Sequence, residues 1–189
     1  MASDLGAQGT SYRIVERDLL DSIQAKLQAL QASGKLGDFQ SALKQRSEEH
    51  ARRPAPVEGI TRTVEPRTFL VDPSLVVQHD VADHRGVIFA HQGQRINPLA
   101  HMPFRKVVLF FNGDDADQVA WAGREISRLG WDRVKPIMVR GDVFDVMNKV
   151  HGVVYFDQGG DITRRWGILH VPAEVAQEGL ALRVSEVQP

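Results

Sequence analysis

Cysteine is absent from the 189 residues. This excludes disulfides, thiolate metal sites and thiol nucleophiles, and with them any thiol–disulfide exchange. No run of about 18 apolar residues occurs, so no segment reads as a membrane-spanning helix. Neither sign of charge is in surplus, with 23 Lys and Arg against 24 Asp and Glu. Non-specific nucleic-acid binding needs a basic excess to release counterions from phosphates, and this balance argues against it. Gly-x-Ser-x-Gly, P-loop and Gly-x-Gly-x-x-Gly patterns are all missing, which removes the nucleophile elbow and the phosphate cradle. The opening Met1-Ala2-Ser3 has neither the basic nor the apolar region of a signal peptide.

What is present supports a packed core. Hydrophobic residues make up 42% of the chain, and the length fits one full domain with attachments or two small ones. Three zones stand out. Residues 16–50 are helical in pattern, with Leu20, Ile23, Leu27 and Leu30 in one narrow stripe of heptad type. Asp18 and Asp21 oppose the helix dipole in the first turns. Ser33-Gly34-Lys35-Leu36-Gly37 is expected to break or kink the helix, and a second piece over 38–50 carries Phe39 and Leu43. Arg52-Arg53-Pro54-Ala55-Pro56 reads as a linker, since two prolines forbid continuation.

The middle zone, 57–99, holds short β-branched runs at 68–71, 75–77, 87–90 and 95–96. Asp72-Pro73, Asp83-His84-Arg85-Gly86 and Gln92-Gly93 separate them as turn formers. The expectation is a small β-meander or pair of hairpins. The last zone, 105–187, alternates strand and helix. A continuous apolar run at 107–111 is typical of a central strand buried on both faces. Helices are expected over 117–129, from Gly141-Asp142 to Val150, and over 161–166. Strands are expected at 136–139 and 153–156, with a hairpin of 174–177 and 181–187. This order predicts an α/β layered domain.

The segment Tyr155-Phe156-Asp157-Gln158-Gly159-Gly160, then 162–167, Ile168 and Val171-Pro172, resembles the second half of thioredoxin-like proteins. The resemblance implies a cis peptide bond at Val171-Pro172. It also puts Asn112-Gly113-Asp114-Asp115 where redox members carry their cysteines. A closer resemblance covers nearly the whole chain in collinear order. Gly9-Thr10-Ser11-Tyr12-Arg13-Ile14-Val15-Glu16-Arg17-Asp18 looks like the mature N-terminal signature of the TraW family of F-type conjugative transfer proteins. Glu65-Pro66-Arg67-Thr68-Phe69, Gly93-Gln94-Arg95-Ile96-Asn97-Pro98-Leu99, Phe110-Phe111-Asn112-Gly113-Asp114-Asp115 and Lys135-Pro136-Ile137-Met138-Val139-Arg140-Gly141 match it too.

The residue pattern gives a helical arm with a Pro-rich linker at 1–56 and a small β module at 57–102, and the resemblance implies that the α/β domain at 103–189 is a cysteine-free thioredoxin-like domain. TraW proteins are exported, so a leader is expected to precede residue 4. The implied role is a non-enzymatic periplasmic component of a type IV secretion apparatus, needed for conjugative pilus assembly. The implied partners are a TrbC-like protein and TraU, with no cofactor, nucleic acid or membrane insertion. The alternative is a thioredoxin-fold periplasmic chaperone for unfolded clients. A third reading is a metal-dependent hydrolase using the Asp114 cluster.

Candidate residues follow from these readings. Asp114, Asp115 and Asp117 read either as paired carboxylates for acid–base or metal chemistry or, preferably, as caps at a helix start. His79-Asp80 and Asp83-His84 sit in an expected turn, and His91 and His101 show no ligand interval. Trp166, beside Arg164 and Arg165, is either a docking patch or a cover for the sheet. In thioredoxin-like folds the residue before the cis-proline offers its backbone to an extended partner. On that resemblance Asn112, Asp114, Trp121, Val171 and Pro172 are candidates to border a protein-binding surface; otherwise the proline only turns the chain. The stripe Leu20, Ile23, Leu27 and Leu30 either folds back or docks in a partner's groove, and docking is preferred because short helices are marginal alone.

Overall fold

The computed structural model describes residues 18–189. The signature at 9–17 therefore lies outside the described residues. The chain divides into two compact units, one up to Ser47 and one from Glu48 to Pro189.

In the first unit, helix α1 (Leu19–Ala32) starts where Asp18 caps it, its carboxylate accepting from the Leu20 N–H at 2.8 Å. The break is shorter than the sequence suggests. Ser33 closes α1, Gly34 takes a positive φ of 69°, and α2 (Leu36–Arg52) resumes at once. Leu36 and Gly37 are thus helical. Arg52, expected in the linker, is the last helical residue, because the first proline that forbids the helix is Pro54. Neither helix has a buried residue.

The second unit is built on β7 (Val107–Asn112), whose side chains alternate between two cores. Val108 and Phe110 pack into one cluster with Ile137, Val139, Ile168, Val171 and Val184. Leu109 and Phe111 pack into the other with Val119, Ala122, Ile126, Met138 and Val146. A period of two with every position apolar is what a strand covered on both faces requires. Each fully buried Phe contributes about 1.5–3 kcal/mol of transfer free energy.

Helices α3 (Ala116–Leu129) and α4 (Val143–Val150) cover the second cluster. Asp115 and Asp142 cap them, and the Gly141-Asp142 start is where the sequence places it. Parallel strands β8 (Val134–Arg140) and β9 (Tyr155–Phe156) follow β7 outward on one side. On the other side the hairpin β11 (Ala173–Glu178) and β12 (Ala181–Glu186) runs antiparallel to β7. Helix α5 (Asp161–Trp166) lies between the two halves in sequence, and Ile162 and Trp166 pack on the first cluster. The Val171–Pro172 bond is cis.

Part of the middle zone joins this sheet. Strand β2 (Arg67–Val71), read from sequence within the small β module, pairs antiparallel with β12, giving the order β2-β12-β11-β7-β8-β9. Phe69 and Val71 turn onto the first cluster, and this burial ties β2 to a strand more than a hundred positions away. The rest of the zone is a nested hairpin. Outer strands β3 (Leu75–Val76) and β6 (Arg95–Ile96) pair with each other, as do inner strands β4 (Val81–Ala82) and β5 (Ile88–Ala90). The inner β4 was not expected from the sequence. Asp83 caps the tip through the N–H groups of Arg85 and Val87, and Asp80 accepts from Gln92 N–H. The His-Asp pairs of this region are therefore turn chemistry. The unit is a mixed α/β fold, and no described helix is long and apolar enough to cross a membrane.

Candidate partner-binding surface

The loop Asn112-Gly113-Asp114-Asp115 links β7 to α3 and is built by side-chain capping. One Asp115 oxygen accepts from the Asp117 and Gln118 N–H groups, and the other accepts from Gln118 Nε2 at 3.0 Å. Buried Gln118 returns its own oxygen to the Asn112 N–H at 2.9 Å, and Asn112 Oδ1 takes the Asp114 N–H. Gly113 is required here by space. A Cβ at that position would lie 2.2 Å from Met138 Cε and 3.0 Å from the Arg140 carbonyl oxygen.

The three aspartates also hold cations. Arg62 bridges Asp115 at 2.6 Å and Asp117 at 2.8 Å. Asp114 pairs with Arg53 at 3.0 Å and Arg140 at 3.2 Å, and Asp142 pairs with Arg52. The Asp117 hydrogen bond holds the Arg62 guanidinium above its ordinary pKa, as the Asp114 bond does for Arg53. Every carboxylate of the cluster is thus used by a cap or an arginine. Among the described residues, no group of three or more His, Asp or Glu side chains is gathered as a metal would require.

Arg53 and Arg62 belong to a segment that spans the expected linker and the start of the expected β module. It runs beside β10 (His170–Val171) and forms β1 (Thr61–Arg62), paired in parallel with Thr61 opposite His170 and Arg62 opposite Val171. Val57 N–H donates to the Val139 carbonyl, Thr61 N–H to Leu169 and Thr63 N–H to Val171, at 2.8, 3.1 and 2.8 Å. The strand position beside the cis-proline is therefore filled by the chain itself, and an incoming strand would have to displace β1. Val171 is 2% exposed and Pro172 is buried. The cavity left among Val57, Ile60, Arg62, Asn112, Gln118 and Val171 is about 70 Å³. Ligand pockets run roughly 300–1,000 Å³, so it holds no organic molecule.

The other sequence candidates separate. Trp121 is a core residue on the buried face of α3, 7% exposed. Trp166 is half-buried, its ring edge-on to Phe110 and Phe104 at 5.8 and 6.2 Å, and Arg164 and Arg165 face water. Leu20, Ile23 and Leu27 are exposed and Leu30 is half-buried. Asp114 is exposed and Asn112 half-buried.

One buried charge, Glu186, is not among the sequence candidates. Glu186 is 1% exposed and accepts from Arg67 Nε at 2.6 Å, Arg67 Nη2 at 3.0 Å, and the Leu169 and His170 N–H groups. Burial pushes its carboxyl up, but these four donors outweigh it and hold the group below its ordinary value. A signal was present. Leu182, Val184 and Glu186 share the inward phase of β12, so a carboxylate was due in the core and needed a cation.

Among known proteins, the chain is similar to Protein TraW of Escherichia coli (strain K12), 38% identical over 175 residues, covering 93% of this chain and 82% of that protein. The chain belongs to the TraW family. No family model and no solved structure matches it. For this TraW-family chain the capped Asn-Gly-Asp-Asp loop and the Arg62 bridge are parts of one device, which fastens residues 53–63 across the end of β7.

Proposed function

We propose that this chain is a non-enzymatic periplasmic component of an F-type type IV secretion system, needed for conjugative pilus assembly and acting through protein–protein interaction. The observation that carries the reading is its collinear similarity to TraW over nearly the whole chain. The exposed apolar stripe Leu20, Ile23, Leu27 on α1 supports a docking role, since an amphipathic helix can lay such a face into a partner's groove. A thioredoxin-like origin of the second unit is supported by the order β12-β11-β7-β8 and the helix joining each parallel pair. Partners of this reading are a TrbC-like protein and TraU.

The test is mating and co-purification. Deleting the gene should abolish pili and transfer, and complementation should require an export leader on the protein. Co-purification with a TrbC-like protein should survive on the full chain and fail when Leu20, Ile23 and Leu27 become serine. Normal transfer after deletion, or rescue by a cytosolic form, would sink the proposal. Suppression of aggregation of unrelated clients would favour a general chaperone instead.

A further inference from the structure

A second surface lies at the far end of the sheet from Asn112, where β7, β8 and β9 begin. An open groove of about 260 Å³ is lined by Lys106, Trp131, Lys135, Pro136, Val153 and Tyr155. Trp131 is seated deliberately. A Cβ on Gly152 would fall 2.1 Å from its indole ring, so the ring lies directly on the bare Cα of that glycine. Trp131, Val153 and Tyr155 are nevertheless 38%, 56% and 49% exposed. Lys135 Nζ sits 4.6 Å from the Tyr155 ring centroid.

Two features decide what fits. Tyr155 opens β9, the edge of the six-stranded sheet, and an edge strand offers unpaired backbone groups to another chain. Lys106 and Lys135 have no carboxylate partner among the described residues, and Asp132 of the same loop turns back toward Gly130. Aromatic walls flanked by lysines without a carboxylate partner select an apolar anchor next to carboxylates. A second copy paired edge to edge would bring β9 (Tyr155–Phe156), which carries no carboxylate, so it does not supply the acid that the lysines select.

We infer that this groove and the β9 edge take an extended, acidic segment of another protein, with an apolar side chain against Trp131 and flanking carboxylates on Lys106 and Lys135. The inference stands apart from the pilus role and survives its failure, because it is read by direct binding rather than by transfer.

The probe is a fluorescein-labelled peptide alternating Asp or Glu with Val and Phe, followed by anisotropy with the full chain. Controls are the same peptide with Lys for each acid, and an oligothymidylate. The acidic peptide should bind saturably, weaken with salt, and add amide protection at Val154 and Phe156. Binding should fall roughly tenfold in Trp131→Ala and in Lys106→Glu/Lys135→Glu, the loss expected when an anchor is removed. Should Trp131→Ala fold poorly, the exposed lysine variant and Gly152→Ala, which unseats the indole, read the same effect. Equal binding of the lysine peptide, preference for the oligothymidylate, self-association lost on lysine reversal, or no saturable binding at millimolar peptide would each overturn it.

Discussion

Thr63 donates its backbone N–H to the Val171 carbonyl oxygen at 2.8 Å, so the residue before the cis-proline is already paired, and paired with the chain itself. Thr63 is 3% exposed, and its hydroxyl also reaches the Pro172 carbonyl. Replacing it with proline removes the donor and leaves a buried acceptor unsatisfied. Thr63→Pro should cost about 1–3 kcal/mol in urea unfolding. It should also speed amide exchange across 57–63. Unchanged exchange there would mean that β1 is not fastened as described.

Arg67 and Glu186 give the fold a defined pH response. The Glu186 carboxyl is held below its ordinary value of 4.5, so its stabilisation is complete above that pH and is lost as pH falls through the lower folded value. Arg67→Met should cost about 2 kcal/mol at neutral pH, less than a fully buried pair because water screens the half-exposed guanidinium. It should also flatten the acid limb of a melting-temperature profile. An unaltered acid limb would show that another group sets it.

Gly113 and Gly123 are predicted to respond in opposite directions. A methyl at Gly113 meets Met138, Val146 and the Arg140 backbone, and Gly113→Ala should cost about 1–3 kcal/mol as an overpacked site. Gly123 lies within α3 with nothing near its missing Cβ, so Gly123→Ala should stabilise by about 0.5–1 kcal/mol. Thermal unfolding of the two variants side by side reads both signs.

The arm is predicted to matter for association and not for the sheet. Replacing Leu20, Ile23 and Leu27 with serine should leave unfolding of the Glu48–Pro189 unit within about 0.5 kcal/mol, as for exposed positions generally. Loss of the partner with unchanged unfolding separates docking from a folding defect. A lowered melting point of that unit would instead mean that the stripe packs on it.

Charge at the Asp114–Asp117 cluster is predicted to fasten residues 53–63 in a salt-dependent way. Arg62→Gln should raise proteolytic nicking within that stretch, and added salt should narrow the difference from wild type. Equal nicking at low salt would show that the backbone bonds alone hold the segment.

The sequence by itself determined the local elements. Period-two apolarity at 107–111, Asp caps at 115 and 142, and prolines at 54 and 56 act over a few residues, and the helices and strands they predict are where the chain puts them within a residue or two. Absence of cysteine likewise settled what chemistry the Asn112–Asp115 loop lacks. Only the tertiary structure decided where β1 and β2 go. Two exposed residues at Thr61–Arg62 carry no local strand signal, and their partners lie 109 positions away at His170–Val171. The same holds for Arg67 with Glu186 and for Trp131 on Gly152, contacts made by burial and close approach across the fold. Pairing energy between distant segments depends on which faces the core leaves open, and that is a property of the packed whole rather than of any window of sequence.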